Sequence, residues 1–380
     1  RLGAEIEIGQ SIDLIPKGLD LIIYTVAVEK ADPDFFKALG KLDIPMLSYP
    51  EVLEEISKGK YTISVSGTHG KTTATAMIAK ILIEAGFDPT VIVGSLLKDS
   101  NSNFIAGKSK YLVMEACEYN ETILIIEPTI AVLTNIDDDH LDKYKNLEGV
   151  IRVFSKYVER VPKRGKIVCD PSSSSVKKAL RAACAEVVDY RKMPEAKLSV
   201  PGAHNIKNAQ AALAVASILG IDVKKVFKSL ENYGGTWRRF ERKGKMKNGA
   251  LVYDDYAHHP TEIEAAISGA REAFPDKKIT VVFQPHLFSR TKAHLDGFAK
   301  NLSKADRVIL ADIYPAREPF DPTISSQDVA KKIKGKNSKV LYLPKFTDII
   351  SLLKKEASAQ DLIITMGAGE TDKIAEKLIK

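Results

Sequence analysis

The stretch SVSGTHGKTTA, Ser64 to Ala74, closes an apolar run of strand length and opens a helical pattern, with two glycines and a lysine at the junction. A glycine turn between a strand and a helix presents backbone N–H groups and a helix N-terminus to an anion. The usual phosphate-loop fingerprint puts its first glycine where Val65 stands here. What remains, Gly67-Thr68-His69-Gly70-Lys71-Thr72-Thr73, keeps the physics: Lys71 brings positive charge between phosphates, and Thr72 offers a hydroxyl to Mg²⁺. The competing reading is a turn that merely starts a helix, and a Lys with two Thr directly after Gly70 speaks against it. On this reading Lys71 sits in a solvent-lined loop, so its removal stops chemistry and leaves the fold intact.

Apolar runs of strand length alternate with amphipathic helical patterns on both sides of this loop, which is the sequence form of parallel α/β sheets. Three blocks separate. Residues 1–57 contain expected strands at AEIEI and DLIIYTVAV and a helix at DPDFFKALGKL, as in part of a nucleotide-binding α/β domain whose beginning is missing. Residues 58–234 run from KYTISVS through strands YLVMEA and TIAVLTN to helices NAQAALAVASILG and VKKVFKSLENY. Residues 235–380 repeat the rhythm with ALVYDDY, KITVVFQPH, RVILADIY, KVLYLPK and DLIITMGAGE. The expected class is therefore α/β in three domains: a partial Rossmann-like domain, a central P-loop domain and a C-terminal Rossmann-like domain.

Composition limits the function classes. With 380 residues, 44% of them hydrophobic, the chain can bury several cores. A net charge of +7 suits nucleic acid or a small multi-anionic substrate equally. Its basic residues are scattered without interleaved aromatics, so nucleic acid is not the expected partner. Cys117, Cys169 and Cys184 are odd in number and lack CxxC spacing, which indicates neither a disulfide framework nor a zinc site and fits a reducing cytoplasm. The apolar runs are too short to span a bilayer, so no membrane partner is expected.

A nucleotide site also needs metal ligands. The strand Tyr111–Met114 ends in Glu115, placed to reach a metal held by Thr72. The next strand ends in Asp137, Asp138, Asp139 and His140, and three successive carboxylates need a cation or a basic partner close by. A solvated acidic turn, with His140 capping a helix, is the plainer alternative.

GTHGKTT, EACEYN, TNIDDDHLD, GAHNIKNAQAA, WRRFE, DDYAHHPTEI, FQPHLFSRT, DIYPAREP and MGAGE follow one another in an order that resembles the Mur ligases, over essentially the whole chain. The family's shortened phosphate loop, GT-x-GK[ST][ST], accounts for Val65. The resemblance is strongest to the alanine-adding branch and implies ATP and Mg²⁺ as cofactors, with UDP-N-acetylmuramate and L-alanine as substrates. A cytoplasmic chain, monomeric or weakly dimeric, is expected. The recycling branch, which attaches a preformed peptide, and a P-loop kinase or nucleic-acid-stimulated ATPase are the alternatives.

The resemblance also distributes roles. It makes Lys71, Glu115 and His140 catalytic, with Thr72, Glu115 and His140 on the metal. Gly67, Thr68, His69, Gly70, Lys71, Thr72 and Thr73 hold phosphates, Asn205 and Asn208 the adenine end, Arg239 the phosphates across the domain junction, and Asp255 the ribose. For Asn205 the plainer role is helix capping, and for Arg239 with Asp255 a salt bridge. His258, His259, His286, Arg290 and Arg317 fall after strand ends in the third block and are expected at the amino-acid substrate, Arg for its carboxylate and a His for its amine. Lys156 lies near the position where several Mur ligases carry a modified lysine, and it is not assigned.

Overall fold

The computed structural model describes residues 3–335 and 339–380. The N-terminal part holds strand β1 (Ile22–Tyr24), helices α1 (Val28–Ala31) and α2 (Pro33–Leu39), strand β2 (Met46–Ser48) and helix α3 (Tyr49–Ser57), with β1 and β2 paired in parallel. Helix α3 starts cleanly because Ser48 and Glu51 form a reciprocal capping box, with Pro50 in the first turn. The expected strand at AEIEI is absent. Ile6 and Ile8 are 81% and 91% exposed, and a period-two pattern with no neighbouring strand to pair with has nothing to hold it extended.

The middle part follows in chain order: β3 (Tyr61–Ser66), α4 (Lys71–Glu84), β4 (Thr90–Leu97), β5 (Ser102–Ile105), β6 (Tyr111–Glu115), β7 (Ile130–Leu133), α5 (Leu141–Tyr144), α6 (Leu147–Glu159), β8 (Lys166–Cys169), α7 (Ser174–Ala179), β9 (Glu186–Asp189), α8 (Ala203–Ile218) and α9 (Val223–Glu231). Its seven strands are ordered β5-β4-β6-β3-β7-β8-β9, parallel except at β5. One core lies between α4, α8 and one sheet face, from Ile63, Val65, Met77 and Ile81; the other lies beneath α6, from Leu112, Met114, Phe154 and Tyr157. Burial on both faces is why these strands read as continuous apolar runs.

The C-terminal part contains β10 (Glu241–Lys245), β11 (Leu251–Asp255), α10 (Pro260–Ala273), β12 (Lys278–Phe283), α11 (Phe288–Ala293), α12 (Leu295–Leu302), β13 (Arg307–Leu310), α13 (Ser326–Lys334), β14 (Lys339–Tyr342), α14 (Phe346–Glu356), β15 (Asp361–Met366) and α15 (Asp372–Ile379). Its sheet runs β10-β11-β15-β12-β13-β14, parallel except at β10. The mixed α/β class with parallel-rich sheets is as expected. In the middle sheet β3 lies between β6 and β7, so the loop after β3 meets the ends of both neighbours.

Candidate active site

Both loop glycines are required by space as well as by backbone. Gly67 has φ +132, and a Cβ there would stand 2.1 Å from Thr134 Oγ1; Gly70 has φ +83, and its Cβ would stand 2.5 Å from Asn208 Oδ1. The turn is braced from the end of β7. His69 N donates to Asn135 Oδ1 at 2.9 Å, while Thr134 Oγ1 and Asn135 Nδ2 donate to His69 O at 2.5 and 2.9 Å.

Lys71 does not extend into solvent as the sequence suggested. Its Nζ folds back over the loop, donates to Gly67 O at 2.5 Å and Thr68 O at 3.0 Å, and pairs at 3.0 Å with Glu118, whose side chain is 1% exposed. Burial pulls the Lys71 pKa down, but Glu118, Cys117 and Glu115 outweigh it and hold the ammonium above its ordinary value. For Glu118 burial pushes upward, and Lys71 with His140 keeps the carboxyl below its ordinary range.

Thr72 Oγ1 donates to Glu115 Oε1 at 3.0 Å, and the backbone N–H of Gly94 fixes the other Glu115 oxygen at 2.8 Å. The threonine and strand-end carboxylate are thus one unit. His140 sits at φ +55, its carbonyl accepting from Lys143 N and Tyr144 N as α5 begins, which realises the helix-starting role. Its ring does more: Nε2 lies 3.5 Å from Glu118 Oε1, and Nδ1 is buried without a hydrogen-bond partner. A hydroxyl, two carboxylates and an imidazole with one orphaned nitrogen, beside an anion-binding turn, fit a divalent cation bound with phosphate.

A cavity of about 400 Å³ opens between the middle and C-terminal parts, lined by Thr72, Thr73, Asn205, Asn208, Arg239 and Asp255 among others. Asn205 Nδ2 donates to Pro201 O at 2.7 Å, and Asn208 Nδ2 to Asn205 Oδ1 at 3.4 Å. The N-cap of α8 is Gly202, so the expected cap by Asn205 is not formed. Arg239 crosses the junction as expected: its guanidinium lies 5.2 Å over the Tyr256 ring, and Nη2 is 3.5 Å from Thr72 Oγ1. Asp255 lines the cavity, and no salt bridge joins it to Arg239 among the described residues. Its two oxygens accept from Phe240 N and Ala257 N at 2.7 Å each, so it holds the chain turn, and burial pushes its pKa up to about 6.

The third-block residues do gather, but several are already engaged. Arg290, expected to offer a free fork to a carboxylate, is 9% exposed; Nη2 donates to Asp139 Oδ1 at 2.9 Å and Nη1 lies 3.1 Å from His286 Nδ1. It clamps the middle part to the C-terminal part. His286 stacks on Tyr314, with ring centroids 5.8 Å apart, and burial, then His258, Arg290 and Arg317, draws its pKa to about 3. His258 Nδ1 faces Tyr256 O at 3.0 Å and Glu262 at 3.3 Å. His259 is buried as the N-cap of α10, its Nδ1 accepting from Thr261 N at 3.3 Å. Arg317 lies 5.2 Å over the Tyr119 ring, which in turn lies 5.0 Å from the His140 ring. Lys156 is exposed and pairs with Glu121 at 3.3 Å, away from this centre.

Sequence reasoning missed Glu118, although it stands in the quoted EACEYN. Helical and strand periodicity end at Glu115, and only the irregular turn after it brings Glu118 back to the lysine. The acidic turn gave a signal that it needs cations, and two arrive: His69 from the phosphate loop and Arg290 from the C-terminal part. Asp137 faces His69 at 3.3 Å and accepts from Thr261 Oγ1 at 3.0 Å; Asp139 takes Arg290; Asp138 lies 3.9 Å from His259. His69 in turn is 3.3 Å from Glu262. Burial draws the His69 pKa down, but Asp137 and Glu262 prevail and raise it to about 9. For His204, on the cavity wall, burial outweighs the pull of Glu262 and lowers the pKa to about 4.

A phosphate loop at a domain junction, metal-type ligands behind it and a cluster of histidines and arginines across from it fit an ATP-dependent ligase of the Mur type. Residues 65–198 match the Mur ligase middle domain, and residues 238–369 match the family described as Mur ligase, glutamate ligase domain. The chain belongs to the Mur ligase family. The UDP-N-acetylmuramate--L-alanine ligase of Clostridium tetani is 39% identical, with 100% of this chain and 89% of that protein covered. The ligase of the same name from Acetivibrio thermocellus is 40% identical, covering 100% and 86%. Among solved structures, a UDP-N-acetylmuramate-alanine ligase from Thermotoga maritima superposes with TM-score 0.80 at 25% identity, covering 98% of this chain and 87% of that one. A murein peptide ligase from Psychrobacter arcticus shares the fold, with TM-score 0.67 and 24% identity over 94% and 85%.

Proposed function

We propose that this chain uses ATP to join L-alanine to the carboxylate of UDP-N-acetylmuramate, through an acyl phosphate, in peptidoglycan precursor synthesis. The observation that carries the reading is the convergence of Lys71, Thr72 with Glu115, and Glu118 with His140 behind one phosphate-type turn, whose Gly70, Thr72 and Thr73 line the interdomain cavity. It is supported by relatives of that name over the full chain.

A carboxylate resists an amine because its leaving group is oxide, so it is first phosphorylated, and the transfer brings like charges together. Lys71 supplies a cation to the phosphates when it leaves Glu118, and Arg239 adds a second from across the junction. Thr72, Glu115 and His140 would hold Mg²⁺, which when bound would supply further charge neutralisation. Asn205 and Asn208 face the adenine end. On the far side Arg317 is the cation for the amino-acid carboxylate, and the Arg290–Asp139 clamp keeps the two parts aligned. The α-ammonium must give up a proton before it attacks, and His258 and His286, both held largely neutral by burial, stand close by.

No described helix is long and apolar enough to cross a membrane, and we place the reaction in the cytoplasm. The test is ADP release with UDP-N-acetylmuramate and one amine at a time. L-Alanine is expected to exceed glycine, serine and a tripeptide; a preference for the tripeptide points to the peptide-adding reaction, and stimulation by nucleic acid alone removes the ligase reading.

A further inference from the structure

His69, Asp137 and His259 each place a ligand atom within 4.8 Å of the others, with the first two contributed by the middle part and the third by the C-terminal part. None of the three belongs to the magnesium set assigned above. The His69 Nε2 to Asp137 Oδ2 separation is 3.3 Å. Two ligands at about 2.0–2.1 Å from a tetrahedral zinc stand roughly 3.3 Å apart, so this pair already has the edge length that such an ion demands. His259 is 2% exposed, and its Nε2 is buried without a hydrogen-bond partner, 3.9 Å from Asp138 Oδ1. Behind His69, Glu262 Oε1 faces Nδ1 at 3.3 Å, the outer carboxylate that commonly orients a metal-binding imidazole.

We propose that His69, Asp137 and His259, with Asp138 at the fourth position, form a second cation site that takes a borderline divalent ion of the zinc class and ties the middle and C-terminal parts together across the nucleotide cavity. The two imidazoles set the selectivity: magnesium takes oxygen ligands, whereas zinc and cobalt accept nitrogen. Binding displaces the proton now shared between His69 and Asp137. It also moves the His259 ring proton to Nδ1, which gives up the long 3.3 Å cap from Thr261 N. Because His69 belongs to the phosphate loop, an ion here stiffens the loop itself.

The test uses the full chain, with zinc and cobalt added in excess magnesium. One cobalt per chain with the intense visible absorption of a tetrahedral site is expected, displaced by zinc, and zinc raises the melting temperature. His259→Gln and Asp137→Asn, each checked by circular dichroism, weaken cobalt binding tenfold to a hundredfold. His140→Ala and Cys117→Ser leave it in place. The proposal is overturned by no uptake, by uptake unchanged in His259→Gln, or by uptake lost in His140→Ala or Cys117→Ser. The first result leaves the ligase reading standing, since ADP release needs neither added ion.

Discussion

Lys71→Met removes the cation that faces a carboxylate with 1% of its side chain exposed. Breaking one side of a buried pair costs about 3–5 kcal/mol, because the charge left behind keeps only the His140 ring at 3.5 Å. For a domain of this size each kcal/mol moves the melting temperature by about 2–4 °C, so a fall of roughly 10 °C is expected at neutral pH. Glu118, without its ammonium, then escapes its charge by taking up a proton, so the deficit shrinks as pH falls. Lys71→Met combined with Glu118→Gln removes both charges and recovers most of the melting temperature. Phosphate release stays at least about a hundredfold down in both variants, since the charge needed in the transition state is gone. Calorimetric melting of the two variants beside the parent chain, at neutral and mildly acidic pH, reads all of this. A single variant that melts with the parent, or a double variant that melts lower still, refutes the buried-pair account.

Three further outcomes follow from the same geometry. Glu115→Ala leaves Thr72 without its acceptor and raises the magnesium concentration for half-maximal rate; an unchanged requirement takes Glu115 out of the site. Gly70→Ala forces a Cβ to 2.5 Å from Asn208 Oδ1 at φ +83, so titration calorimetry should show nucleotide binding lost, with about 1–3 kcal/mol of destabilisation. His69, raised from 6.5 to about 9, contributes stability fully present below pH 6.5 and lost as pH rises through 9, nominally about 3 kcal/mol. His204 and His286, lowered to about 4 and about 3, act in the opposite direction, their contribution being lost as pH falls below 6.5. Melting temperature should therefore peak near neutral pH, and His69→Gln should flatten only the alkaline side.

The fold was legible where burial on both sheet faces wrote continuous apolar runs, as at Ile130–Leu133 and Leu362–Ile364, and where the loop residues Gly67 and Gly70 have no steric alternative. AEIEI misled because alternation states a preference for a strand and says nothing of a pairing partner. Within the site, Thr72 and Glu115 could be joined because a strand end and a loop at neighbouring strands must meet. Glu118, Arg290 and Asp255 could not be placed in advance. Their partners lie at separations of 47, 151 and 15 residues, and sequence spacing carries no record of which charge a folded turn will face. The need for cations around Asp137–Asp139 was visible as repulsion; that His69 answers it from the phosphate loop and Arg290 from across the domain junction is a property of the folded chain alone.

The central claim is that the phosphoryl group passes to the sugar-linked carboxylate before the amine attacks. UDP-N-acetylmuramate carrying a heavy-oxygen label in its carboxylate, turned over with ATP and L-alanine, tests it directly by mass spectrometry of the released phosphate. One labelled oxygen per phosphate released is the predicted result; phosphate free of label, with product still formed, would contradict it.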